Sequence, residues 1–327
     1  GYDNKKISKT KKRNRKNCYI KSMSLKIIFM GTPEFAVPIL DSIKNSKHKI
    51  LTVYTNPPKK SNRGQKINLS PIHIYANEAK IKVRNPKILN TDEVRYIESL
   101  KADLAVVVAY GKILPTEILK LDNLLFLNIH ASLLPRWRGA APIQRAIMNM
   151  DKETGISIMK ITHKLDAGPV MLKEKMIIEK NDNFSSLSKK LSILASKLIL
   201  SSLNIVEKKT VNFIDQDETM VTYAKKINKE ELKINWKDSA RALVAKINGL
   251  STSPGVWFKH NNVRIKIIKA LENEKSGSNG EILDENLTVA CGKNSIKILT
   301  VQKEGKNIMD TKEFLKGYKI LKGEKLI

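Results

Sequence analysis

From Leu25 to Val206 the chain alternates between short apolar runs and stretches with helical spacing, and this alternation restricts the fold more than any other feature. Leu25–Met30 (LKIIFM), Lys49–Thr55, Asp103–Ala109 (DLAVVVA) and Leu124–Ile129 have the length and density of strands buried on both faces. Gly155–Ile161 and Val170–Ile178 read as two more strands, and Val83 as a short extended piece. Helices are expected from Pro33 toward Ile43, over Pro71–Ala79 and over Thr91–Leu100. Ser185–Val206 closes the region, with apolar positions at Leu187, Leu191, Leu194, Leu198 and Ile205 on one face. Such alternation predicts an α/β domain over 25–206, a doubly wound and mostly parallel sheet with helices on both faces. Its opening, strand then Gly31-Thr32-Pro33 then helix, lacks G-x-G-x-x-G, so a dinucleotide is not indicated.

After Val206 the pattern changes. Residues 207–226 are polar, acidic at Asp215-Gln216-Asp217-Glu218, and without sustained periodicity, which predicts an interdomain linker lying across the surface. Residues 227–327 then offer a helix at Asp238–Asn248. Five short strands follow at Gly255–Phe258, Val263–Ala270, Gly280–Leu283, Leu287–Cys291 and Ser295–Gln302. Short strands closely spaced by turns predict a small β-barrel as a second domain.

One stretch, FLNIHASLLPRWRGAAPIQ at Phe126–Gln144, departs from what a core requires. A buried strand ends by placing Asn128 and His130 two residues apart, hence on one face at its carboxyl end, where ligands of open parallel sheets sit. A Pro-bounded loop, Ser132–Pro135, and the cluster Arg136-Trp137-Arg138-Gly139 follow, before a helix over Ala140–Met148 that tolerates Pro142 in its first turn. A lone His or Asn near a strand end is usually a hydrogen-bonded structural residue or a turn former. Two together beside such a loop favour chemistry, and Asp166 in THKLDAG (Thr162–Gly168) supplies a third group. Amide, imidazole and carboxylate are the parts of a site that polarises, moves a proton and orients.

The run N-I-H-x-S-L-L-P-R-W-R-G-A-A-P-I-Q, with L-D-A-G downstream, resembles the signature of the methionyl-tRNA formyltransferases, and the resemblance extends from Leu25 to the C-terminus. It implies an oligonucleotide-binding-like (OB-like) C-terminal domain. It also implies transfer of the formyl group of 10-formyltetrahydrofolate, a co-substrate, to the amine of initiator methionyl-tRNA. That reaction passes through a tetrahedral state with a developing oxyanion, and the amine must lose a proton. By resemblance Asn128 donates to the formyl oxygen, His130 shares that task and relays protons, and Asp166 orients His130 and accepts from the amine. Ser132, Leu133, Leu134 and Pro135 line the folate pocket in the family pattern. The charged stretch Lys59–Asn68 (KKSNRGQKIN) reads from its own residues as a solvated loop, or as a segment that orders on a polyanion. Resemblance makes Arg63 its leading tRNA contact, beside Lys59, Lys60 and Lys66. For Arg136 and Arg138, phosphate or the folate glutamate competes with pairing to the protein's own carboxylates.

A net charge of +28 points to a polyanionic partner, nucleic acid before membrane surface, although Lys, Asn and Ile loading of the AT-rich kind accounts for part of it. Over 227–327 Lys and Arg outnumber acids by 19 to 12, consistent with RNA contact or with ordinary surface. Residues 1–24 hold nine Lys or Arg and one Asp, which predicts disorder. A start upstream of a true initiator Met23, a basic nucleic-acid arm and an organelle transit segment are its three readings; the first is favoured because the family-like sequence begins at Leu25. No apolar run approaches a membrane span of roughly 20 residues. Cys18 and Cys291 have neither metal nor redox spacing, no metal site is expected, and a cytoplasmic, bacterial-type monomer is anticipated. Two other functions stay open. One is a relative formylating a small amine, such as a nucleotide sugar or glycinamide ribonucleotide, or hydrolysing formyltetrahydrofolate. The other is a non-catalytic RNA-binding protein.

Overall fold

The computed structural model describes residues 24–61 and 66–326. Its first unit runs β1 (Lys26–Gly31), a single 3₁₀ turn, α1 (Val37–Lys44), β2 (Lys49–Tyr54), β3 (Lys59–Ser61), β4 (Lys66–Asn68), α2 (Pro71–Glu78), β5 (Val83–Arg84), α3 (Thr91–Ser99) and β6 (Leu104–Val108). It continues through α4 (Thr116–Leu119), β7 (Leu125–His130), β8 (Arg138–Gly139), α5 (Pro142–Met148), β9 (Glu153–Lys160), β10 (Val170–Ile177) and α6 (Phe184–Glu207). Seven strands form the main sheet in the order β10-β9-β7-β6-β1-β2-β5. From β7 to β5 all pairings are parallel, whereas β9 and β10 are antiparallel additions beside β7. The connection from β9 to β10 is too short for the crossover that parallel strands need, so these two pair as a hairpin.

Alternate residues of the central strands feed two cores. Ile27, Phe29, Leu104, Val106, Val108, Leu127 and Ile129 pack on the side covered by α1, α5 and α6. Ile28, Met30, Ala105, Val107 and Phe126 pack on the side of α3 and α4. The long helix α6 starts from a capping box, Asn183 accepting from the Ser186 amide while the Ser186 hydroxyl accepts from that of Asn183. It buries Leu187, Leu191, Ala195, Ile199 and Leu203 against the first core. Because Asn128 and His130 follow the register of Phe126, both emerge on the α3/α4 side, at the carboxyl end of β7.

The stretch expected to be a structureless charged loop is in its described parts a two-stranded ribbon: Lys59 faces Asn68, Lys60 faces Ile67 and Ser61 faces Lys66. Alternation of Lys with Ser, Ile and Asn carries no apolar period, so only the pairing itself makes it a strand. Residues 62–65, Arg63 among them, lie outside the described residues, as do 1–23 of the basic extension.

The second unit comprises α7 (Ala240–Leu250), β12 (Val256–His260), β13 (Val263–Asn273), β14 (Thr288–Ala290), β15 (Ser295–Lys303), β16 (Ile308–Asp310) and α8 (Thr311–Gly317), after a two-residue β11 (Tyr223–Ala224). Its five-stranded antiparallel sheet has the order β12-β13-β15-β14, with β16 also paired to β15. Trp236, Leu243, Ile247, Phe258, Ile265, Ile267, Ile296 and Phe314 build a separate core. Gly280–Leu283 is not a strand: only isolated bridges, Glu281 to Lys325 and Ile282 to Val289, form there. Gly280 takes a left-handed backbone (φ 83°), which interrupts an extended run. The fifth strand is Ile308–Asp310 instead, too short to show a period in the sequence.

Candidate active site

β7 delivers Asn128 and His130 to the same face, and the loop between β9 and β10 folds back over that face to bring Asp166 between them. The Asn128 amide donates to Asp166 Oδ1 at 3.3 Å. His130 Nδ1 lies 3.7 Å from Asp166 Oδ2, and both side chains are largely buried. That separation exceeds hydrogen-bond length, so a proton at Nδ1 is not locked to the carboxylate. The other ring nitrogen is committed: His130 Nε2 donates to the Trp137 carbonyl at 2.8 Å, which fixes the Nε2–H tautomer and turns Nδ1 toward Asp166. Asp166 Oδ2 accepts the Gly139 backbone N–H at 2.9 Å. The second amide hydrogen of Asn128 has no partner among the described residues.

Backbone geometry here is unusual. Asp166 (φ 46°) and Trp137 (φ 61°) both adopt the left-handed region, a conformation that costs a residue with a side chain about 1–3 kcal/mol. Gly139 (φ 119°) must be glycine, since a Cβ would sit 2.8 Å from the Ala224 carbonyl oxygen. Gly168 is equally constrained, because a Cβ would collide with the Lys160 carbonyl.

The Ser132–Pro135 loop divides by exposure. Ser132 and Leu134 are buried, the Ser132 hydroxyl donating to the Arg136 carbonyl at 2.6 Å and Leu134 packing on Met159 and Val170. Leu133 and Pro135 keep partly exposed faces. Ser157, fully buried, holds the loop from below by accepting from the Leu134 N–H and donating to the Ser132 carbonyl.

Both arginines are paired internally. Arg136 grips Asp151 through two hydrogen bonds of 2.9 and 2.6 Å, and the Trp137 indole N–H joins at 2.7 Å. Burial favours the neutral form of Asp151, yet the hydrogen bonds from Arg136, Asn149 and Trp137 prevail and hold its carboxyl below the usual range. Arg138 is 2% exposed and binds Gln216 Oε1 and the Glu218 carboxylate. A guanidinium so buried needs such a partner. A hollow of about 320 Å³ lies beside Leu133, Arg136, Trp137 and Asp151, and none of Asn128, His130 and Asp166 lines it.

The sequence reading missed what lies around the three side chains. Trp137 and Gly139 act through backbone atoms, which side-chain type does not reveal. The 207–226 segment is more than a tether: Gln216 Nε2 donates to the Asp166 and Gly168 carbonyls at 2.8 and 2.7 Å. Lys59 is exposed, and Lys60 and Lys66 lie in the two strands of the ribbon. Among the described residues no group of three or more His, Cys, Asp or Glu is placed to hold a metal, and no helix is long and apolar enough to cross a membrane.

The structure thus joins a mostly parallel α/β unit, with Asn128, His130 and Asp166 gathered at a strand end, to an antiparallel sheet unit. Residues 25–203 match the formyl transferase family and residues 226–319 match the formyl transferase C-terminal domain, and the chain belongs to that family. Among its relatives, the methionyl-tRNA formyltransferase of Pelagibacter ubique is 50% identical over 307 residues, covering 93% of this chain and 99% of the relative. That of Paramagnetospirillum magneticum is 42% identical over 301 residues, covering 91% and 99%. Solved structures agree in fold. The N-formyltransferase from Helicobacter canadensis in complex with folinic acid and dTDP-3-aminofucose superimposes with a TM-score of 0.65 at 22% identity, covering 86% of this chain and all of that one. HypX from Aquifex aeolicus in complex with tetrahydrofolic acid gives 0.65 at 18% identity over 93% of this chain, which spans about half of HypX (51%).

Proposed function

We propose that this chain transfers the formyl group of 10-formyltetrahydrofolate to the α-amino group of methionine on initiator methionyl-tRNA, giving formylmethionyl-tRNA for translation initiation. The observation that carries formyl transfer is the meeting of Asn128 and His130, neighbours on one face at the end of β7, with Asp166 from a distant loop. The acceptor follows from the relatives, named methionyl-tRNA formyltransferases and matched along both units. The protein acts in the bacterial-type cytoplasm as a monomer on this reading, and the ribbon Lys59–Asn68 with Arg63 meets the tRNA.

The donor set fits the chemistry. Asn128 offers its uncommitted amide hydrogen to the formyl oxygen, where negative charge develops when the amine attacks the carbon. His130, its Nε2–H fixed by Trp137, presents Nδ1 as the ring atom that exchanges a proton. Asp166 and His130 together take the proton that the amine loses and return one to the folate nitrogen as its bond to the formyl carbon breaks. Ser132, Leu133, Leu134 and Pro135 form the wall against the pterin, Leu133 and Pro135 by their exposed faces and the other two by holding the loop's shape.

The test is acceptor choice. With 10-formyltetrahydrofolate supplied, methionyl-tRNA, free methionine, glycinamide ribonucleotide and a dTDP-amino sugar are offered in turn. Formylation confined to the tRNA-linked amino acid is expected; preferential formylation of a small amine would overturn the reading.

A further inference from the structure

The segment between the two units touches both halves of the catalytic cluster. On one side, Gln216 Nε2 donates to the carbonyls of Asp166 and Gly168, at 2.8 and 2.7 Å, spanning the turn that presents the carboxylate. On the other, the Thr222 hydroxyl accepts from the Trp137 N–H at 2.9 Å and the Thr222 carbonyl from the Arg138 N–H at 2.9 Å. β11 pairs in parallel with β8, so Tyr223 and Ala224 lie against Arg138 and Gly139. Arg138, buried, joins the two ends by donating to Gln216 Oε1 at 3.0 Å and pairing with Glu218. The two residues with side chains that take left-handed backbones here, Asp166 and Trp137, are thus each held by a side chain of this one segment. Unfavourable backbone conformations persist only where surrounding bonds over-determine them.

We infer that Gln216 is a positioning residue for formyl transfer, setting the placement of the Asp166 carboxylate against His130 by clamping the backbone of the 166–168 turn. Its side chain suits the task because it is bifunctional: the amide nitrogen serves two carbonyls while the amide oxygen satisfies a buried guanidinium. This inference rests on the formyl-transfer reading for its kinetic part and on geometry alone for the rest. It makes the connection between the units a component of the catalytic centre, so that a strain on the segment is felt at His130.

Gln216→Glu is the isosteric test. It keeps an oxygen for Arg138 and replaces both donations by repulsion between a carboxylate and two carbonyls; Gln216→Ala, which adds no charge, guards against misfolding of the first variant. In the full-length protein, the His130 ring resonances, assigned by their loss in His130→Gln, are followed by NMR through a pH titration, alongside kcat, KM and the unfolding midpoint. Both variants are expected to shift the His130 resonances and their titration, and to lower kcat roughly ten- to a hundredfold, with KM for methionyl-tRNA little changed. Unmoved His130 signals, or wild-type kcat in both variants, would overturn the inference. A wild-type protein that fails to formylate methionyl-tRNA would instead sink the functional reading, leaving the NMR comparison to decide the positioning role.

Discussion

The centre around Asp166 and the ribbon of Lys59–Asn68 solve opposite problems. At the centre, the Asp166 carboxylate meets Asn128, the Gly139 N–H and the His130 ring, its own carbonyl is taken by Gln216, and His130 is 6% exposed. The ribbon is two strands of three residues paired only to each other, with Ile67 66% exposed and Lys59 on the surface. Stabilising a charge that exists only in the transition state demands donors fixed in advance, because reorganisation would consume the gain. Holding a polyanion needs cations with reach, and order can come with the partner. On the proposed function, the pre-set donors lie where a carbonyl oxygen becomes negative, and the reaching cations lie on the ribbon.

If that contrast is right, the two regions fail differently. His130→Ala should lower kcat by roughly a hundred- to a thousandfold, while the KM for methionyl-tRNA and the unfolding midpoint stay near wild type. Steady-state kinetics with thermal unfolding measure this, and a variant near full activity would put the chemistry elsewhere. Arg63→Ala should act on the other axis: KM for tRNA rises several-fold, kcat holds, and the salt dependence of tRNA binding becomes shallower by about one unit of slope. Unchanged tRNA kinetics at every salt concentration would return the ribbon to plain surface. A smaller effect is expected far from both regions, at Asp284 in the second unit. Burial favours its neutral form, but the Lys275 ammonium and the Thr288 hydroxyl and N–H outweigh this and bring its pKa down to about 2. Since the folded value lies below the ordinary carboxylate value of about 3.9, the stabilisation is complete above that pH and disappears as pH falls toward 2. Asp284→Asn should flatten that part of the acid-unfolding curve with kcat unaffected, and an unaltered acid limb would discount the pairing.

The α/β frame is legible in the chain because its strands are strongly apolar runs and its helices carry one-sided periodicity, as in Asp103–Ala109 and Ser185–Val206. Asn128 and His130 stand out because polar groups at a strand end conflict with core patterning, and Asp166 as a third such group in the loop after a later strand. What escaped was non-local. The antiparallel course of β9 and β10 depends on pairing partners, the Gly280–Leu283 stretch fails as a strand through a left-handed glycine, and the β3–β4 ribbon has no hydrophobic period. Most telling is Gln216, which sequence reads as polar surface in an acidic run. Its role appears only once the 138–139 strand and the 166–168 turn lie beside it. Arg136 and Arg138 likewise declared their partners, Asp151 and Glu218, only in three dimensions.

On the proposed function, catalysis rests on the Asp166 carboxylate held against an amide and an imidazole. Its most direct test is the single-turnover rate of formyl transfer by Asp166→Asn, with both substrates saturating. This substitution keeps the shape of the side chain and removes its charge. A fall of roughly a hundredfold or more, with substrates still bound, is the result expected; a rate within a few-fold of wild type would contradict the account.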